Sequence, residues 1–200
     1  CGDGARPAVS VVIPTRDRAP LLRESLASLV GQSADRAAFE VVVVDDGSTD
    51  DTTRVCRDFG DRLPLAYVRG PAGGIGRAKN VGIEVARGDV ILSFDDDDVA
   101  ESGLVAAHLA AHALYPLEHV AVLGFTDWHP RLEITELMRY VIGIGHDLFS
   151  YTYLQDGQLL DHTWFWGGRS SCKKSLIMRA GGFRSDFTFG SEDIEAGYRI

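Results

Sequence analysis

Phe39-Glu40-Val41-Val42-Val43-Val44-Asp45-Asp46 holds four consecutive valines and ends on two carboxylates. A half-exposed strand alternates apolar and polar residues. An unbroken valine run reads instead as a strand buried on both faces, as in a parallel sheet. Upstream, Val9-Ser10-Val11-Val12-Ile13 is a second short β-branched run, expected to stop at Pro14. Between the two, Pro20 opens a helical pattern in which Leu22, Leu26, Leu29 and Val30 share a face, and Gly31 closes it.

The alternation continues downstream. Ser48 with Asp51 three residues on has the spacing of a capping box, and Val55 and Phe59 then share a helix face. Leu65 to Arg69 predicts a third strand. Gly70 to Gly76 is a glycine-rich loop before a helix that runs to Ala86. Asp89-Val90-Ile91-Leu92-Ser93-Phe94 predicts a fourth strand, followed directly by Asp95-Asp96-Asp97-Asp98. Strands alternating with helices imply an α/β chain with a doubly wound, mostly parallel sheet flanked by helices. Ligands of such sheets bind outside the carboxyl ends of the strands. Three loops fall there: Pro14-Thr15-Arg16, Asp45-Asp46-Gly47 and Asp95 to Asp98.

Past residue 100 the pattern loosens. Glu101 to Tyr115 and Lys173 to Ala180 predict helices, His119 to Gly124 a strand, and Glu192 onward a helix. Residues 125 to 162 carry no regular pattern. Arg131, Glu133 and Glu136 are expected on a solvated helix face.

Composition narrows the function. The chain has 200 residues, 45% apolar and 24% charged, enough to bury a core without disulfides. Its net charge of −9 argues against binding along nucleic acid, which needs a basic face. The acidity is uneven: twenty Asp against nine Glu, with eight of the Asp in the runs 45–51 and 95–98. Cys1, Cys56 and Cys172 are odd in number and lack metal spacing, which reads as reduced thiols in a cytoplasmic setting. No stretch reaches the roughly 20 apolar residues of a membrane span. The chain begins at Cys1 rather than Met and ends at Tyr198-Arg199-Ile200, as a piece of a longer protein would. Any peripheral membrane contact is then left to other segments.

The residue types suggest chemistry. Four adjacent carboxylates repel one another unless a cation offsets them. Mg²⁺ takes one or two carboxylates plus phosphate oxygens, and alternation along an extended run turns Asp95 and Asp97 the same way. A solvated acidic turn is the simpler alternative. Asp45 and, less directly, Asp46 can accept from a ribose hydroxyl or a base N–H; Ser48, Asp50 and Asp51 are expected only to cap. Gly73-Gly74-Ile75-Gly76 fits neither the GxGxxG nor the P-loop pattern. A helix start there can still attract phosphate, with Arg77 and Lys79 adding charge or standing in solvent. Trp164 and Trp166 can stack on a sugar or pack in the core, and His162 is either an acceptor contact or structural.

In order along the chain, these pieces resemble the family 2 glycosyltransferases of the GT-A fold. The matching motifs are Val11 to Arg16, Val44 to Asp50, Gly74 to Gly82, Ala86 to Asp89, Phe94 to Asp98, Gly181-Gly182-Phe183 and Ser191-Glu192-Asp193. The resemblance covers nearly all of residues 1–200 as one GT-A domain. It implies a nucleotide-sugar-binding half over 9–99 and an acceptor-binding, catalytic-base half over 100–200. By the same resemblance Pro14, Thr15 and Arg16 line the base pocket and Asp45 bonds the base, typically uracil. Asp95 and Asp96 lie near ribose and phosphate. Asp97, in the DxD element with Asp95, binds Mn²⁺ or Mg²⁺, and Asp193 is the catalytic base. Glu192 falls with Trp164, Trp166 and His162 on the acceptor side.

The implied reaction is metal-dependent, inverting transfer from a nucleotide-diphosphate sugar, UDP-linked by preference, to a carbohydrate or other hydroxyl. A helix cap is the plain alternative for Asp193. For the whole chain, the alternatives are a sugar-nucleotide nucleotidyltransferase and a non-catalytic nucleotide-sugar-binding domain. The family's further His beyond the base, which can complete a metal site, has no counterpart before Ile200.

Overall fold

The computed structural model describes residues 6–143, 151, 153–187 and 190–200. Three β/α steps and a fourth strand open the fold: β1 (Val9–Thr15), α1 (Ala19–Val30), β2 (Phe39–Asp45), α2 (Thr52–Phe59), β3 (Leu65–Arg69), α3 (Ile75–Val85) and β4 (Val90–Ser93). They are followed by α4 (Leu104–Leu114), β5 (Ala121–Leu123) and α5 (Glu136–Gly143). A 3-10 turn at His162–Trp164, β6 (Ser170–Lys173), α6 (Lys174–Arg179) and α7 (Glu192–Arg199) complete the order. The sheet runs β3-β2-β1-β4-β6-β5. β1 to β4 are mutually parallel where they pair; β6 is antiparallel to both β4 and β5.

All seven residues of β2 are buried, as the valine run requires. Val41 and Val43 join Leu22, Leu26, Leu29, Val55 and Phe59 in one core layer. Val42 and Val44 face the other layer with Ala78, Ile83, Ile177 and Phe183. Each such valine contributes about 1.5 kcal/mol or more by leaving water. A Cβ on Gly82 would stand 2.3 Å from Val12 Cγ1, so α3 lies on the sheet at glycine distance. Glu40, one of two carboxylates in β2, accepts from Ser10 Oγ at 2.7 Å, Arg87 N at 2.6 Å and Arg87 Nε at 2.8 Å. Burial alone would raise its carboxyl; the Arg87 and Ser10 bonds outweigh that and hold it below the usual range.

Three local expectations are corrected. Pro14 does not stop β1: it pairs with Val44, and the ladder continues as Asp46 N donates to Thr15 O at 2.9 Å. Ser48 and Asp51 form no capping box. Asp50 instead accepts from Thr52 N at 3.0 Å and Ala19 N at 2.8 Å, serving the starts of both α2 and α1. Lys173 ends a strand rather than opening a helix. That strand, β6, has no apolar run to mark it: Ser170 and Ser171 are polar, yet both are buried. Cys56 and Cys172 are buried free thiols, pushed up to about 12 by burial; Cys1 lies outside the described residues.

Ser171 is buried by means of two imidazoles one turn apart on α4. Its Oγ lies 2.7 Å from His108 Nδ1 and 2.8 Å from His112 Nε2. Burial holds both rings near pKa 4, helped by their mutual charge at His108 and by Lys173 at His112. Each binds a proton more readily unfolded, at about 6.5, than folded. Stability is therefore full above pH 6.5 and lost as pH falls toward 4, by about 3 kcal/mol per ring at most. We expect this contribution to lower the thermal midpoint between pH 7 and 5, opposed in part by Asp98, whose raised carboxyl takes up a proton over the same range. The fall should be smaller in His112→Gln; equal falls in the two proteins would remove the imidazoles from this role.

Candidate active site

The carboxyl ends of β1, β2 and β4 lie side by side, and their loops are laced together. Asp17, at φ 53°, accepts from Thr49 N at 2.6 Å, while its own N–H donates to Ser48 Oγ at 3.0 Å. Thr15 Oγ1 donates to Asp96 Oδ2 at 2.7 Å. Arg18 Nη1 donates to Asp96 Oδ1 at 2.8 Å and Asp97 Oδ2 at 3.1 Å. Nothing in the local pattern of the sequence marks Arg18, since its partners lie some eighty positions away.

The acidic run is a turn, not an extended strand: Asp98 N donates to Asp95 O at 3.3 Å. Strand alternation therefore does not set its directions. Asp97 is exposed and held by Arg18, whereas Asp95 turns inward. Burial raises the Asp95 carboxyl, offset by Lys79 and Arg169, and burial likewise raises Asp96. Asp98 is pushed up to about 7 by burial and by the charge of Asp95. The turn is short of positive charge.

Two of the expected donor-side residues are buried and paired within the protein. Asp45 is fully buried. Its Oδ1 accepts from Ser48 N at 2.6 Å and its Oδ2 from Tyr67 OH at 2.5 Å, with Arg69 Nε 3.6 Å away. It is a closed-in carboxylate at the floor of a small cavity that Asp46, Val68, Gly70, Pro71 and Arg77 also line. Burial and that bond push the Tyr67 hydroxyl up to about 12. Lys79 is also buried, its Nζ 2.7 Å from Glu192 Oε1 and 5.0 Å from the Phe183 ring centre. Its charge is paired with Glu192 at the wall of the cavity described below.

The other donor-side residues lie at the loops. Asp46 accepts from Gly73 N at 2.7 Å and Gly74 N at 2.9 Å, so it holds the glycine loop. Gly74 sits at φ 87°. Arg77 Nη1 donates to Pro71 O at 2.8 Å, folded onto its own loop. Pro14 is half-buried, Thr15 buried and Arg16 exposed.

A cavity of about 350 Å³ opens beside Asp95, with Lys79, Trp166, Arg169, Glu192 and Asp193 among its walls. Asp193 Oδ2 accepts from Gly167 N at 2.7 Å and Oδ1 from Ile194 N at 2.8 Å. Gly168 lets Asp95 in: a Cβ there would stand 2.0 Å from Asp95 Oδ2. The Arg169 guanidinium lies 5.6 Å from the Trp166 ring centre and faces the charges of Asp95 and Asp98. Trp164 lies behind Trp166 at 5.0 Å, and Tyr151 meets Trp166 edge-on at 5.6 Å. His162 packs edge-on to Tyr198 at 5.2 Å and does not line this cavity. Arg169 escaped the sequence reading because its partners come from three separate segments.

Among the described residues no three His, Cys, Asp or Glu side chains come together as a complete metal-holding group. Oxygen-only carboxylates suit Mg²⁺ or Mn²⁺, which complete their shell with phosphate oxygens and water. Asp97, the exposed carboxylate of the turn, fits such a partial set, with Asp95 turned inward beside it. Among the described residues no helix is long and apolar enough to cross a membrane.

Residues 10–167 match the model described as glycosyl transferase family 2. Validoxylamine A glucosyltransferase of Streptomyces hygroscopicus subsp. jinggangensis is 36% identical over 217 residues, covering 97% of this chain and 51% of that protein. The solved structure of S. aureus TarS 1-349 in complex with UDP-GlcNAc superposes with TM-score 0.77 at 20% identity, over 96% of this chain and 52% of that one. Mannosyltransferase PcManGT from Pyrobaculum calidifontis, in complex with GDP-Man and Mn²⁺, does so with TM-score 0.67 at 25% identity, over 96% and 51%. The chain thus spans about half the length of the validoxylamine A glucosyltransferases it matches. The mixed six-stranded sheet is that of the GT-A fold, and the chain belongs to glycosyl transferase family 2.

Proposed function

We propose that the protein is a metal-dependent, inverting glycosyltransferase that moves a sugar from a nucleoside-diphosphate donor to an acceptor hydroxyl. One observation carries the reading: Asp95, at the end of a parallel strand, and Asp193, at the start of α7, face one cavity. The donor approaches over the strand ends, with its base beside Pro14, Thr15 and Arg16. Asp45 shapes that pocket through Ser48 and Tyr67, and Asp46 holds the glycine loop beneath it. Asp95 and Asp97 would hold Mn²⁺ or Mg²⁺, which neutralises charge on the departing diphosphate. Asp193 takes the proton of the acceptor hydroxyl. A single carboxylate opposite the leaving group gives one displacement, hence inversion. Trp166, with Trp164 behind it, offers the acceptor an aromatic wall. Residues 9–99 supply the donor side, and 100–200 the base and acceptor side.

Support comes from the family and from neighbours that hold UDP-GlcNAc or GDP-Man. UDP is the preferred donor nucleotide in this reading. Calorimetry with UDP and Mn²⁺ tests it. We expect binding that weakens at least about tenfold when EDTA removes the metal. Binding indifferent to metal would discard the donor assignment.

A further inference from the structure

Glu192, on the cavity wall, has one side-chain oxygen unsatisfied. It is 3% exposed, yet only Oε1 has a partner, Lys79 Nζ at 2.7 Å. Oε2 is buried with no hydrogen-bond partner among the described residues. A buried carboxylate oxygen left unbonded is costly, and native structures hold few. Glu192 lines a cavity within the size range of small-molecule sites, so a ligand seated there is the nearest source of the missing donor.

The surroundings select that donor. Asp95, Glu192 and Asp193 share the cavity, so an anionic group is disfavoured. Lys79 already neutralises Glu192, so a cation gains little. A neutral hydroxyl remains. Lys79 also fixes the side of the reaction. The same ammonium bonded to Glu192 acts on the charge of Asp95, at the donor end. It fits there because Gly167 has no side chain, a Cβ at that position standing 2.4 Å from Nζ.

We infer that Glu192 Oε2 accepts a hydrogen bond from a hydroxyl of the transferred sugar, and that Lys79 is the positioning residue that holds Oε1 and leaves Oε2 for the ligand. This moves Glu192 from the acceptor side to the donor sugar, and Lys79 from phosphate contact to internal support. It rests on the donor reading proposed above.

The test uses the full-length protein with Mn²⁺. The affinity of whichever nucleoside diphosphate binds, UDP or GDP, is compared with that of its glucose, N-acetylglucosamine and mannose conjugates. In Glu192→Gln, Lys79 keeps the amide oxygen toward itself, so an NH₂ replaces the free acceptor. We expect nucleotide affinity within about twofold of wild type, and a loss of about tenfold in the gain that the best sugar adds. Lys79→Met/Glu192→Leu, which removes both buried charges together, should lose the same gain while staying folded. Lys79→Arg should keep most of it.

Two folded variants, Glu192→Gln and the double substitution, that both retain the gain would overturn the inference. So would a wild type that binds no conjugate more tightly than its nucleotide. A wild type that binds neither nucleotide overturns the donor reading itself, and this inference with it.

Discussion

Asp193→Asn is expected to slow sugar transfer by about 10²–10⁴-fold, the range general-base catalysis supplies, with nucleotide affinity unchanged. The substitution keeps the shape of the side chain but removes the lone pair that takes the proton. It also has a local cost that can be separated from the chemistry. Both Asp193 oxygens accept backbone N–H groups, Gly167 N at one and Ile194 N at the other. Whichever way the amide turns, its NH₂ meets one of those donors, losing a hydrogen bond worth about 1 kcal/mol. The folded protein should therefore melt a few degrees lower yet still bind donor. Steady-state transfer, with nucleotide calorimetry and thermal unfolding on the same sample, checks this. Transfer within about threefold of wild type, far from the expected range, would return Asp193 to the role of a helix-start residue.

The legible parts of this chain are those where one residue type answers to one environment. Four valines in a row can only be buried on both sides, and both layers of the core meet at β2. From that strand the parallel order and the strand-end loops follow, and with them the positions of Asp45, Asp95 and the acidic turn. Wherever a polar group is satisfied by a distant partner, local pattern is silent. Ser171 is buried because two imidazoles from α4 meet its hydroxyl. Asp45 stands at the expected strand end but is closed by Tyr67, and no local rule tells it from Asp46. Arg18 and Arg169 acquire meaning only where separate loops converge. The acidic run illustrates the same limit: its place was readable, but its turn sends Asp95 inward and Asp97 out to Arg18.

Lys79→Met alone should destabilise the protein by about 3–5 kcal/mol, the usual penalty for removing one partner of a buried pair. Lys79 and Glu192 side chains are 3% and 4% exposed at a separation of 2.7 Å, so little solvent is at hand to replace the ammonium. Methionine fills much of the same space, which limits the packing loss. What remains is a buried carboxylate with neither oxygen bonded. Asp95, whose carboxyl burial already raises, loses at the same time the first of the cations that offset it. Against a total stability of about 5–15 kcal/mol the loss is large, and should lower the thermal midpoint by about 6–20 °C. The double substitution Lys79→Met/Glu192→Leu removes the stranded charge and should recover most of that fall, since apolar replacements of buried pairs are often neutral. A midpoint for Lys79→Met within about 2 °C of wild type would mean that the pair is solvated in solution. A double variant no more stable than the single one would place the cost in packing, not charge.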